Sequence, residues 1–181
     1  NSAVVCGVIT LAVLLTSTLA GFAFARLRFR GRDAMLGFVV ATMLVPTQLG
    51  VIPLYIMVTR WFGWANDLRA VILPAVVSAF GVFFMRQYLV TALPMELLES
   101  ARIDGASELR TFNQIALPMM KPAIAVQAIF SFVTSWNNYF VPALVLKSDS
   151  KKTLPILIAT LRSADFLKFD MAQVYMFIFM A

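Results

Sequence analysis

The sequence predicts an all-α polytopic membrane protein: a bundle of transmembrane helices with an amphipathic helical segment on the cytoplasmic side. Three observations predict it. Of 181 residues, 61% are hydrophobic and only 13% charged, whereas a soluble domain is about half apolar and about a quarter charged. That charged share is too small to cover a water-facing surface. Several apolar runs reach the ~20 residues that a helix needs to cross a ~30 Å hydrocarbon core. Between them lies one long polar segment with helical periodicity.

The first apolar run extends from about Ala3 to Ala25 and carries no charge. The second extends from about Ala34 to Val58, the third from about Ala70 to Met85 and on towards Val90, and the fourth from about Pro122 to Leu146. A fifth begins near Met171. Backbone groups in lipid must pair within their own segment, so these runs are predicted helices. Pro46, Pro53, Pro74 and Pro142 interrupt them, and each removes a helix hydrogen bond and predicts a kink. Such kinks serve either to shape a cavity or simply to fit neighbouring helices. Residue 1 is Asn and the last residues, from Tyr175 to Ala181, are mostly apolar. The sequence therefore reads as an internal fragment, about five spans in length.

Arg26, Arg28, Arg30 and Arg32 fall within seven residues, followed by Asp33. A basic cluster this dense beside a span marks a cytoplasmic connection. Counting onward, the loop holding Arg60, Asp67 and Arg69 is outside, the segment from about Thr91 to Lys121 inside, and the segment from Lys147 to Asp170 outside. The last assignment places Lys147, Lys151, Lys152, Arg162 and Lys168 outside, so the orientation rests on the first cluster.

Several chemistries are excluded. There is no histidine and one cysteine, Cys6. A disulfide within the chain, a zinc or copper site and histidine acid–base catalysis are therefore not expected. Cys6 reads as a small packing residue in an apolar helix. No phosphate-binding loop of the GxxxxGK(S/T) form is present. The net charge of +6 sits mostly beside apolar segments, where it sets topology, and no basic module for nucleic acid is visible. No span centres on an acidic residue, which argues against coupling to protons or sodium. The chain is expected to have no catalytic residue, bound cofactor or metal.

The polar segment 93–122 is the most informative. Leu98, Ala101, Gly105, Leu109, Phe112 and Ala116 recur at steps of three or four and share one face. Pro94 suits a first helical position. Asp104–Gly105 predicts a tight turn, with Asp104 capping the helix that follows. Pro118 and Pro122 mark the return to the membrane. Glu96, Glu99, Asp104 and Glu108 make the polar side acidic, and anionic lipid would repel it. A groove on a partner protein fits better than a bilayer surface.

The run Glu99-Ser100-Ala101-Arg102-Ile103-Asp104-Gly105-Ala106, with nine residues between Gly105 and Ile115 and then Ala116-Leu117-Pro118, resembles the EAA loop of ABC importer permeases of the binding-protein-dependent type. Ser100 stands where the family commonly has Ala. Asn1-Ser2, the stretch from Ala23 to Arg32, Trp136-Asn137-Asn138-Tyr139 and Thr153-Leu154-Pro155 are similar to the carbohydrate, maltose-type branch. Asn138 stands where that branch often has Glu or Asp. The resemblance implies one helix before residue 1 and a sixth helix cut at Ala181. It also implies a cytoplasmic coupling helix at Glu99, Ala101, Asp104, Gly105, Ala106, Ile115, Leu117 and Pro118. The implied partners are cytoplasmic ATPase subunits that use ATP and Mg²⁺, a second and different permease subunit, an extracytoplasmic solute-binding protein and the bilayer of a prokaryotic cell.

A sugar is held by amides, hydroxyls and aromatic faces. The candidate pathway residues are Gln48 in the second run and Ser135, Trp136, Asn137, Asn138 and Tyr139 in the fourth. Thr42, Thr47, Gln127, Ser131 and Thr134 are of the same kind. Amides in lipid must face a cavity or another helix, so helix–helix bonding is the competing role. Trp136 and Tyr139 could equally anchor at the interface. The alternatives are an importer of another polar solute such as a glycerol phosphate, a transporter or channel not coupled to ATP, and a membrane scaffold.

Overall fold

The computed structural model describes residues 1–163, 175, 176 and 178–180. Among them the regular structure is helical, without a strand. The protein is an all-α polytopic membrane protein.

Helix α1 (Ser2–Arg26) is the first apolar run. It contains no proline and meets its first charge at Arg26. Val5, Ile9, Val13 and Ser17 are buried while Val4, Val8, Leu11, Leu15 and Leu19 are exposed. A helix that shows apolar side chains on its exposed face as well is one that meets lipid.

The second run is not one kinked helix as expected. Helix α2 (Arg32–Thr42) stops in a turn, and a single 3₁₀ turn (Thr47–Gly50) leads into α3 (Val51–Ile56) and a π-helical turn (Met57–Trp61). Pro46 cannot donate and disfavours helical backbone at the residue before it, so a continuous helix cannot run through this stretch. Pro53 lies in the first turn of α3, where its missing N–H leaves no vacancy in the ladder. Pro142 occupies the corresponding place in α10 (Phe140–Val145). The break in the fourth run comes earlier, at residues 137–139 after α9 (Lys121–Trp136). There Asn137 Nδ2 donates to the Val133 carbonyl at 3.0 Å, a local bond that competes with helix propagation.

The third run spans from Arg69 to Ala92. It comprises α4 (Arg69–Ile72), a 3₁₀ turn with Pro74 at its centre (Leu73–Ala75) and α5 (Ala79–Ala92). Ser78 caps α5 by accepting from the Gly81 N–H at 3.1 Å. Ser2–Arg26 and Arg69–Ala92 are each long and apolar enough to cross a membrane. Two bent helix pairs qualify if each counts as one span, giving up to four among the described residues. Of the expected fifth span, from about Met171, only 175, 176 and 178–180 are among the described residues.

The chain forms two compact units. One comprises Asn1–Thr10, Thr47–Ala75 and Ser131–Ala181, the other Leu11–Pro46 and Val76–Phe130. In the second unit Phe22, Met85, Leu89, Leu93, Leu98, Phe112, Ala116, Met120 and Ala123 form one apolar core. In the first, Val58, Ala70 and Val145 pack together beneath Leu54, Trp64 and Val141.

Candidate functional site

The polar segment 93–122 belongs entirely to the second unit. Helix α6 (Met95–Ile103) begins after Pro94, whose ψ of 145° places it just before the first turn rather than at the first helical position. Leu98 and Ala101 turn inward and are buried. The end of α6 is a Schellman turn. Gly105, at φ +77°, donates to the Arg102 carbonyl at 3.1 Å, and Ala106 donates to the Ala101 carbonyl at 2.9 Å. Glycine adopts this left-handed backbone without the steric cost an L side chain meets.

Asp104 therefore ends α6; it does not cap the next helix as the sequence suggests. That cap is Ser107, whose hydroxyl accepts from the Arg110 N–H at 3.3 Å. The chain then runs through α7 (Glu108–Thr111), a π-helical turn (Phe112–Ala116) and α8 (Leu117–Met119). Arg102 Nε pairs with Glu108 Oε1 at 2.9 Å and clips the two sides of the turn together. Of the predicted common face, Leu98, Ala101, Phe112 and Ala116 are buried. Leu109 departs from it, 70% exposed, because the turn at 104–107 resets the helical phase. Ile103 is 86% exposed at the tip, with Glu99 and Asp104 exposed beside it. Ile115 and Leu117 are half-buried against the core, and Pro118 is exposed.

The pathway candidates divide. In the first unit a cleft of about 780 Å³ is lined by Thr47, Gln48 and Asn138, with Thr134, Val51, Leu54, Pro74 and Phe140 among its other walls. Two amides from distant parts of the chain thus face one space. Ser135 and Trp136 do not line it; with Asn138, Ser2, Cys6 and Thr153 they border a separate gap of about 10 Å³. Trp136 also stacks on Phe132, centroids 5.5 Å apart. Asn137 points back to its own helix, and Tyr139 lines neither space and is 45% exposed.

Sequence reasoning passed over Asn66, which holds two loops of the first unit together. Its φ is +57°, its Oδ1 accepts from the N–H groups of Lys147 at 2.9 Å and Ser148 at 3.0 Å, and its Nδ2 donates to Ser148 Oγ at 2.6 Å. Its backbone carbonyl accepts from Lys151 Nζ at 2.7 Å. Asn's tolerance of a left-handed backbone was the one available signal. Nearby, the Arg69 guanidinium donates to the Asp67 carboxylate at 2.9 Å and holds its pKa down at about 2. Asn1 and Ser2 reach the same unit's far end: Asn1 Nδ2 donates to the Ser150 carbonyl at 2.7 Å, and Ser2 Oγ accepts from the Leu154 N–H at 2.7 Å.

Residues 8–181 match the family described as binding-protein-dependent transport system inner membrane component. The chain is 40% identical over 161 residues to the arabinooligosaccharides transport system permease protein AraQ of Halalkalibacterium halodurans, covering 89% of this chain and 57% of that protein. It is 35% identical over 164 residues to the lactose transport system permease protein LacG of Rhizobium radiobacter, covering 91% of this chain and 59% of that one. It thus spans less than two thirds of these relatives' length. A solved bacterial ABC transporter involved in the import of the acidic polysaccharide alginate has the same fold, with a TM-score of 0.82 at 23% identity over 91% of this chain and 58% of the other. The family match over nearly the whole chain, together with these relatives, establishes that the chain belongs to the inner membrane components of binding-protein-dependent transport systems.

Proposed function

We propose that the chain is the permease part of an ATP-driven importer that carries a sugar or oligosaccharide across a prokaryotic cell membrane by alternating access. The observation that carries this reading is the exposed turn at Asp104–Gly105, standing on a buried base. Leu98, Ala101, Phe112 and Ala116 fix it to the core, while Ile103 and Leu109 stand free of the fold among Glu99, Asp104 and Glu108. Exposed apolar side chains ringed by carboxylates suit a groove on a soluble protein. The segment 93–122 then lies on the cytoplasmic side and docks on an ATPase subunit. Glu99, Ala101, Asp104, Gly105 and Ala106 form or shape the contact, and Ile115, Leu117 and Pro118 lead the chain back to the membrane.

ATP and Mg²⁺ are used by that partner; this chain binds no cofactor and performs no hydrolysis. A second, different permease subunit completes the pathway, and an extracytoplasmic binding protein delivers the solute. Closure of the ATPase pair biases a two-state equilibrium between inward- and outward-facing arrangements. The cleft lined by Gln48 and Asn138 is the candidate solute passage, since amides pair with sugar hydroxyls and the Phe140 ring offers an apolar face. Of the other candidates, Ser135 and Trp136 border the smaller gap beside Asn138, and Asn137 and Tyr139 line neither space. The relatives' named solutes, arabinooligosaccharides and lactose, support the carbohydrate class.

The test is uptake by proteoliposomes containing the full-length permease, its partner permease and its ATPase, supplied with binding protein. Labelled arabino-oligosaccharide or lactose should accumulate only with ATP inside the ATPase compartment. Uptake driven by a proton gradient without ATPase would overturn the reading. Preferential uptake of glycerol 3-phosphate would keep the ATP coupling and replace the solute.

A further inference from the structure

The turn between α1 and α2 is strongly basic, and the proposed transport mechanism leaves it unused. Arg28, Arg30 and Arg32 alternate directly after the apolar α1. Arg32 Nε pairs with the neighbouring Asp33 carboxylate at 2.9 Å. Arg28 and Arg30 enter no ion pair among the described residues, so the turn keeps an uncompensated positive charge.

Arg28, Phe29, Gly31, Arg32, Asp33 and Ala34 line a cleft of about 400 Å³. Gly31, at φ +81°, folds the backbone back around it. The helix that leaves this cleft, α2, has no buried residue; Met35 is 54% exposed and Phe38 71%. An apolar helix face that the fold leaves uncovered has lipid as its natural solvent in a membrane protein. A cationic cleft at the end of a span, continued by the exposed Met35–Phe38 face of α2, matches a molecule with an anionic head and apolar tails.

We propose that the cleft at Arg28–Ala34 binds the phosphate headgroup of an anionic phospholipid, with the acyl chains along Met35 and Phe38 of α2. The Arg28 side chain supplies the net positive charge of the wall. Arg30 adds long-range attraction, and the Arg32–Asp33 pair contributes hydrogen-bonding groups without net charge. The site rests on the chain being a membrane protein and not on its transport activity.

The experiment is native mass spectrometry of the full-length permease in its complex, offered phosphatidylglycerol or phosphatidylcholine. The intact protein should retain phosphatidylglycerol in preference to phosphatidylcholine. At ~1 kcal/mol per basic side chain near a lipid surface, the double variant Arg28→Gln/Arg30→Gln should weaken that retention about 30-fold. Arg28→Lys/Arg30→Lys should restore most of it. Equal retention of the two lipids, or no loss in the Gln variant, overturns the proposal. Displacement of phosphatidylglycerol by millimolar inorganic phosphate overturns the lipid source and assigns the cleft to a soluble phosphate. Should the Gln variant fail to assemble, the intact protein still decides: retention must fall with rising ionic strength, and salt-insensitive retention overturns the site.

Discussion

Gly21 of α1 lies against Met85 of α5 so closely that a methyl group at position 21 would stand 2.6 Å from the Met85 Cβ and 3.0 Å from the Arg86 backbone nitrogen. Backbone atoms on both sides leave no flexible side-chain end to give way. Close approach of two helix backbones at a small residue is how membrane helices gain packing without a hydrophobic drive between them. Gly7, on the same helix, has nothing within 4 Å of the corresponding methyl position. Gly21→Ala is therefore expected to destabilise by about 1–3 kcal/mol through overpacking, despite alanine's better helix propensity. Gly7→Ala should be neutral or slightly stabilising. Denaturant titration of the two variants in detergent micelles checks this, and equal behaviour would show that α1 and α5 do not meet at Gly21.

Asn66 separates two effects that an alanine substitution would mix. Asn66→Gly keeps the left-handed backbone and removes the side-chain bonds to Lys147 and Ser148. Asn66→Ala removes the bonds and also strains the backbone. The glycine variant should lose about 1–3 kcal/mol, the range for leaving partners unpaired, and the alanine variant ~1 kcal/mol more. Hydrogen exchange at the Lys147 and Ser148 amides should accelerate in both. Unchanged exchange there would mean these amides do not depend on Asn66.

Why some of this was legible in the sequence and some was not follows from range. Helix α1 was readable because hydropathy is local: 25 residues with one charge, at the end, admit few alternatives. The turn at Asp104–Gly105 was readable because a Schellman turn needs a left-handed residue, which glycine adopts most easily. The role of Asp104 was misread because Asp favours helix starts in general, whereas Ser107 here stands one turn ahead of the bonds to be capped. The interruption at Pro46 was legible, though it is a full break and not a kink; the break in the fourth run falls at residues 137–139 and not at Pro142, because a proline in a first turn leaves the helix ladder intact. Which polar residues share the cleft was not legible, since Gln48 and Asn138 lie 90 positions apart. Nor was the meeting of Asn1 and Ser2 with residues 150–154.

The Asp67 carboxyl gives a pH prediction with a definite sign. Its folded pKa, about 2, lies below the ordinary ~3.9. Any stability it contributes is present above ~3.9 and is lost as pH falls through about 2. The loop should be indifferent to pH between 8 and 5. Arg69→Gln removes the guanidinium that donates to it and should return the midpoint towards ~3.9. Carbon-13 NMR of the Asp67 carboxyl in nanodiscs reads both midpoints. A wild-type value near 4 would mean that the Asp67–Arg69 bridge does not persist.

Asp104 and Gly105 allow fold and function to be pulled apart. An exposed carboxylate at the C-terminal end of α6 opposes the helix dipole, so Asp104→Asn should leave the fold unchanged or stabilise it by a few tenths of a kcal/mol. A residue that harms its own helix slightly, yet lies at the tip of the proposed docking turn, should act on the partner. Asp104→Asn is accordingly expected to lower ATP-coupled uptake several-fold while the melting temperature holds or rises. At Gly105 a side chain meets no atom within 4 Å, so only the φ of +77° resists substitution. Gly105→Asn should cost less than Gly105→Ala, for which about 1–2 kcal/mol is expected, because Asn tolerates the left-handed region, as Asn66 does in this chain. If the shape of the turn is what the ATPase grips, recovery of ATPase with the permease should follow the order Gly, Asn, Ala. Recovery that is the same for all three, with Asp104→Asn uptake unimpaired, would remove the turn from the coupling contact.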